Sequence, residues 1–188
     1  MSIENQMKQL LARCLEDIKV ECDEEFDRNF ERKAFFSGKW KRRGGAYHED
    51  KPLLMDTGKL RHSISSRIVD NKLIYSSDVE YAGFHNEGAT ITVTKKMKGY
   101  FWRKYYQATG GFSRKKNGEP RKDKKNQALT TEAEFYKAMA LMRVGRKIII
   151  PRRRFVGWHP SLESNVRQII EENLTEYFNS NEFQISIK

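Results

Sequence analysis

Three features of this 188-residue sequence predict an α+β fold, in which a small antiparallel β-sheet is packed by a long N-terminal helix and a C-terminal helix. One apolar stripe at helical spacing runs through the N-terminal segment. Short alternating or β-branched runs fill the middle. A dense block of Lys and Arg separates the last of these runs from the others, as a basic, partly helical and partly disordered insertion. The length suits a single domain over 1–188, with the insertion at 95–129.

From Ile3 to about Phe36, Ile3, Met7, Leu10, Cys14, Ile18, Cys22, Phe26 and Phe30 recur every three or four positions, which is one face of an amphipathic helix. Glu16, Asp17, Glu24 and Glu31 lie on the other face, and Ser37-Gly38 ends the helix. The following loop, Lys39 to Gly45, sets Trp40 among four cations; this indole can cover the end of a core or stack on a partner's base or guanidinium. His48 follows in the same linker.

Asp56 or Thr57 can cap a short helix containing Leu60. Ile64, Ser66 and Ile68 then alternate, Asp70-Asn71 supplies a turn, and Leu73 and Tyr75 alternate on the return, which predicts a β-hairpin. The stretch YAGFHNEG, Tyr81 to Gly88, reads as a short helical turn stopped by Gly88, with Tyr81, Phe84 and His85 on one face. Ala89 to Thr94 is a β-branched strand.

Within the insertion, Phe101, Trp102, Tyr105 and Tyr106 have helical spacing, whereas Gly110 to Gln127 has no periodicity and is expected to be disordered. Helix resumes at Thr130, where Thr131 and Glu134 have capping-box spacing, and Gly145 stops it. Lys147 to Ile150 is a strand closed by Pro151. From Pro160 to about Asn179, Leu162, Val166, Ile169, Ile170, Leu174, Tyr177 and Phe178 form the apolar side of a last helix. Glu182 to Ile187 alternates weakly, as an edge strand would.

The net charge of +11 is unevenly spread: residues 1–37 balance at −3 and residues 95–125 at +10. No apolar run spans a bilayer, and MSIENQMKQLL lacks the order of a signal peptide, so a cytoplasm and no membrane are expected. Cys14 and Cys22 sit about two turns apart on one helix, too far to bond to each other, and read as buried free thiols.

His48, His62, His85 and His159 show no metal-ligand spacing with one another or with a cysteine. A nuclease could use a His base with a carboxylate-bound metal, but helical residues turn by about 100° per position, so His85 and Glu87 do not converge. There is no phosphate-cradling glycine loop and no nucleophile elbow. The expectation is a non-enzyme without cofactor. In the extended run Arg152-Arg153-Arg154, Arg153 points opposite to its neighbours. Arg153 is then expected to pair locally, and Arg152 and Arg154, with Trp40, to bind a partner. A nucleic-acid-binding module is the alternative, with Lys95, Lys96, Trp102, Arg103, Lys104 and Tyr105 as its contact.

Together, LLMDTGKLRHSI (Leu53 to Ile64), YAGFHNEG, IIPRRRFVG (Ile149 to Gly157) and the Trp40 loop resemble the virion-morphogenesis, or tail-completion, proteins of Mu-like bacteriophages, the G-type neck proteins. The positions that carry the resemblance are Thr57, Gly58, Leu60, Ser63 and Ile64; Tyr81, Ala82, His85 and Gly88; and Ile150, Pro151, Arg153, Phe155 and Gly157. The insertion lies outside them. The resemblance implies a structural protein of a phage or prophage head–tail junction, found in the virion and, during assembly, in the host cytoplasm. It implies a homo-oligomeric ring on tail or connector proteins, near passing DNA, without catalysis. It also implies that Tyr81 and Phe155 are core residues, Arg153 is locally paired and His85 is hydrogen-bonded.

Overall fold

The structure, a computed structural model, describes residues 2–42 and 52–180. His48 and the edge strand expected at Glu182 to Ile187 lie outside the described residues. The chain is mixed α+β, with a long N-terminal and a C-terminal helix. Its elements are α1 (Ile3–Arg32), β1 (Ala34–Phe35), β2 (Gly38–Lys39), α2 (Lys59–His62), β3 (Ile64–Val69) and β4 (Lys72–Ser77). They continue with α3 (Ala82–Glu87), β5 (Ala89–Thr92), α4 (Lys95–Gly110), α5 (Lys124–Leu141), β6 (Lys147–Ile150) and α6 (Pro160–Ser180). The strands pair as three antiparallel two-stranded ribbons, β1–β2, β3–β4 and β5–β6. Among the described residues no helix is long and apolar enough to cross a membrane.

Two compact units divide the chain. One comprises residues 2–41, 52–87 and 152–180 of the described chain, the other residues 42 and 88–151.

In the first unit, Ser2 caps α1 through its side chain, and Lys33 ends the helix in the left-handed conformation. Helix therefore stops before Phe36, and residues 34–39 turn back as the β1–β2 hairpin. The stripe predicted for α1 is buried at Leu10, Cys14, Cys22, Phe26 and Phe30, while Ile3 and Met7 are exposed. α6 runs antiparallel to α1, joined by polar contacts along the seam: Tyr177 Oη to Gln6, Asn173 Nδ2 to Asp17 and Asn165 Nδ2 to Glu21. On α6, Leu162 is buried, but Ile170 and Phe178 are exposed.

The β3–β4 hairpin closes through Asp70 and Asn71, both at positive φ, as the primed two-residue turn requires. Its inward face meets α1, where Asp23 accepts hydrogen bonds from Ser66 Oγ at 2.7 Å and Tyr75 Oη at 2.6 Å. A core of Phe30, Trp40, Leu54, Leu60, Val79, Ala82 and Phe155 closes the unit.

In the second unit, β5 and β6 pair from Ala89↔Ile150 to Thr92↔Lys147. α4 and α5 form a helical hairpin, capped by Thr94 and Asp123 respectively. Helix begins at Lys124, six residues before the expected Thr130. The reason is local: Asp123 Oδ1 accepts from Asn126 N–H, and Asn126, buried, bonds Ser113 N–H, Ser113 C=O and Arg121 C=O. That network gives order to a stretch whose composition alone predicts none. Thr131 consequently lies inside the helix, its hydroxyl bonded back to Gln127 C=O.

Candidate functional site

The three motifs of the sequence meet in the first unit. Thr57 Oγ1 accepts from Lys59 N–H at the start of α2. Gly58, at φ 71°, occupies the N-cap, and a Cβ there would lie 3.1 Å from the His62 ring. Leu60 is buried against Phe30 and Trp40. These residues hold the floor of the site.

α3 supplies the second part. Its inward residues are Ala82, His85 and Asn86, so the buried face is set one position later than the sequence reading placed it. Tyr81, expected in the core, is instead 43% exposed, with its ring edge-on to His85. Phe84 is also exposed, while His85 is half-buried. Gly88 follows α3 at φ 77° and ends it.

The returning segment after Pro151 is the third part. Arg153 N–H donates to His85 C=O at 2.7 Å, which tethers it to α3. Asn86 Oδ1 accepts from both Phe155 N–H (2.9 Å) and Val156 N–H (3.1 Å). Phe155 is buried against Phe30, and its carbonyl accepts from Asn29 Nδ2. Asn29, fully buried, also accepts from Phe36 N–H, so one amide ties α1, the β1–β2 turn and the returning segment together.

The three arginines follow the expected alternation at Arg152 and Arg153 but not at Arg154. Arg153 is buried and donates through Nε to Lys41 C=O. Arg152 is exposed and pairs with Glu87 at 3.0 Å. Arg154 does not extend outward: its guanidinium lies 5.1 Å over the Phe35 ring and against Gly157, whose φ is 149°. Backbone at that φ strains any residue with a Cβ, and a Cβ at Gly157 would in addition push the Arg154 guanidinium aside, its Nε lying 2.5 Å away. Trp40, read from sequence as covering a core end or meeting a partner, takes the first role: it is buried edge-on to Phe30, with its indole N–H donating to Arg154 C=O at 2.7 Å. A side chain so enclosed has no face left for docking.

Beside this junction lies a cleft of about 210 Å³ lined by Asp23, Phe26, Asp27, Arg61, Ser66 and Tyr75. Its charges are internally matched. Burial pushes the Asp23 carboxyl up, but hydrogen bonds from Tyr75, Ser66 and Lys19 outweigh it and hold Asp23 below the usual range. Burial and the neighbouring Asp23 carboxylate push the Tyr75 hydroxyl up. The hydrogen bonds of the Arg61 guanidinium, more than burial opposes them, hold Asp27 low. Both cysteines are buried free thiols, and burial with nearby carboxylates pushes Cys22 up to about 11, which makes it inert.

In the second unit, Lys95, Lys96 and Arg103 are exposed on α4, and Trp102, Lys104 and Tyr105 are half-buried. Trp102 stacks on Tyr106, which is 65% exposed. Lys104 and Arg103 both approach the Tyr100 ring. Among the described residues no three His, Cys, Asp or Glu gather to hold a metal ion.

Three asparagines, Asn29, Asn86 and Asn126, organise the molecule without having stood out in the sequence. Asn29 left a trace, since it falls three residues after Phe26 on the apolar face of α1, where a polar residue needs a partner. Asn86 and Asn126 left none. No protein-family model matches the chain, and no curated protein and no solved structure matches it.

Proposed function

We propose that this chain is a structural subunit of the head–tail junction of a tailed phage or prophage, acting in tail completion by packing against neighbouring tail or connector proteins. What supports this reading is the use to which the motif residues are put. Leu60, Ala82 and Phe155 share one core, Arg153 is tied to His85 through the backbone, and Gly58 and Gly157 sit at positive φ in the turns beside them. Residues spent in this way build a rigid body and leave its outer side for contact. That outer side carries Tyr81 and Phe84, exposed on α3, beside the Arg152–Glu87 pair. Exposed aromatics next to an arginine are what a protein–protein contact uses. A ring formed on a phage neighbour requires only head-to-tail contacts of one such surface with another.

The test is genetic and morphological. A phage or prophage encoding the chain is induced with the gene intact, deleted, or carrying Phe84→Asp, and its particles are counted by electron microscopy. The deletion is expected to yield separate heads and unfinished tails, and Phe84→Asp to do the same from a folded protein. Normal yields of joined particles from the deletion would remove the reading.

A further inference from the structure

We propose that the outward face of α4 binds single-stranded nucleic acid, with Trp102 and Tyr106 as a stacking platform and Lys95, Lys96 and Arg103 as phosphate contacts. The inference is independent of the assembly reading. It begins with helical geometry. Met97, Phe101, Tyr105 and Ala108 fall on the side of α4 that meets α5, where Phe101 stacks on Tyr136 and Ala108 is buried. Lys95, Gly99, Trp102 and Tyr106 lie at i, i+4, i+7 and i+11, on the opposite side, and Lys96 and Arg103 flank them two turns apart.

This face is open and chemically unusual. A Cβ built on Gly99, midway along it, would meet nothing within 4 Å. The Trp102 and Tyr106 rings lie 6.0 Å apart at 26°, so one stacked surface faces outward, with Tyr106 mostly exposed. Exposed paired aromatics cost free energy in water unless something covers them, and the flanking charges decide what. All charges on this face are positive, in a unit where residues 88–151 hold sixteen Lys/Arg against four Asp/Glu. A polyanion that also offers flat apolar rings satisfies both features. A single strand does so, because its bases are unstacked and free to lie on the platform while its phosphates reach the cations. A duplex offers the phosphates but keeps its bases covered, and an acidic protein surface, which could also meet aromatics, lacks the regular succession of phosphates and flat rings that matches cations flanking a stacked pair. The geometry also revises the contact read from sequence: Tyr106 takes the place of Tyr105, which sits toward α5, and Lys104 is drawn to Tyr100.

The experiment measures anisotropy of a labelled short oligothymidylate, and of a duplex of equal length, with the full chain across a salt series. Binding of the single strand in preference to the duplex is expected, its log affinity falling with log salt at a slope of about −2 for three phosphate contacts. Trp102→Ala/Tyr106→Ala should weaken it by about tenfold or more at every salt concentration. Lys95→Glu/Lys96→Glu/Arg103→Glu should abolish it. Because variants can misfold, bromodeoxyuridine-containing oligothymidylate is also crosslinked to the wild-type chain, and adducts on Trp102 or Tyr106 are expected by mass spectrometry. Equal affinity for the duplex, wild-type affinity in the folded aromatic variant, or adducts confined to other residues would each overturn the proposal. So would self-association through this face in place of oligonucleotide binding.

Discussion

Within each unit, the buried side chains that organise it reach over different ranges of sequence. In the first, Asn29 reaches Phe155 across 126 positions of sequence, Trp40 reaches Arg154 across 114, and Arg153 reaches Lys41 across 112. In the second, the organising amide of Asn126 bonds groups only five and thirteen positions away, and Ala108 of α4 and Ala133 and Ala140 of α5 are buried. The first unit therefore closes only when the segment after Pro151 returns, whereas the α4–α5 hairpin of the second can form from its own neighbours, the β5–β6 ribbon then joining its ends. Charge follows the same division. The second unit carries the positive excess on a locally folded hairpin, and the near-neutral first unit carries the motifs.

The sharpest way to break this comparison is to empty the core of the first unit. Phe30 is 1% exposed and touches both Trp40 and Phe155. Phe30→Ala should cost about 3–5 kcal/mol, read by denaturant unfolding. Hydrogen exchange of α4 and α5 amides should be unchanged if the second unit folds locally. Equal loss of protection in both units would show that the division by contact range is not a division of stability.

A smaller effect separates the two organising amides. Asn86→Ala leaves the Phe155 and Val156 N–H groups without their acceptor and should cost about 2–3 kcal/mol in the same unfolding transition. Asn126→Ala should instead loosen residues 111–123 while leaving that transition in place, seen as faster amide exchange and new protease cutting near Arg121. Identical global losses from both variants would contradict the assignment of one to long-range closure and the other to a local turn.

Acid provides a gentler probe. Asp23, Asp27 and Glu25 all titrate below their usual range in the folded chain. A carboxylate whose folded pKa is depressed contributes stability that is present above its unfolded pKa and lost as pH falls through the folded value. Stability of the first unit should thus stay level through neutral pH and decline below about pH 5, where unfolded carboxyls begin to protonate. Asp23→Asn should flatten part of that decline, because the Asp23 carboxylate accepts the hydrogen bonds from Ser66 and Tyr75 that tie the hairpin to α1. A decline of unchanged steepness in this variant would place the acid sensitivity elsewhere.

What the sequence disclosed follows from which signals are periodic. The α1 stripe, the Asp70-Asn71 turn, the KIII strand and α6 were all legible, because side-chain spacing and turn chemistry act locally. The inward face of α3 was not. Tyr81, Phe84 and His85 and the shifted set Ala82, His85 and Asn86 are both one-sided on a helix this short, and only the returning backbone of Phe155 selects the second. The fate of the arginines was half legible: alternation sent Arg153 inward, but nothing in the run announced that Phe35 and Gly157 would hold Arg154 back. The order between Gly110 and Lys124 escaped because a single buried asparagine supplies it, and composition does not register one residue.

The smallest expected effect is also the most direct test of independence. The chain leaves the first unit after Glu87 and returns at Arg152, and these two residues form an ion pair at 3.0 Å. Just beyond them Ala89 and Ile150 face each other in the β5–β6 ribbon. Strands so placed accept a two-residue primed turn, so residues 90–149 can be replaced by an Asn-Gly dipeptide without moving either end. Every stabilising contact named above for the first unit survives this excision, and shortening a connection between fixed ends lowers the entropy cost of closure. The shortened chain should unfold within about 1 kcal/mol of the full chain, since loop length enters stability only logarithmically. Its charge would fall from +11 to −1, with twenty Lys/Arg against twenty-one Asp/Glu, so it should also lose all affinity for oligothymidylate. A chain that unfolds on excision would make the second unit a buttress of the first. One that folds yet keeps its affinity would move the nucleic-acid contact off α4 and onto the unit that carries the motifs.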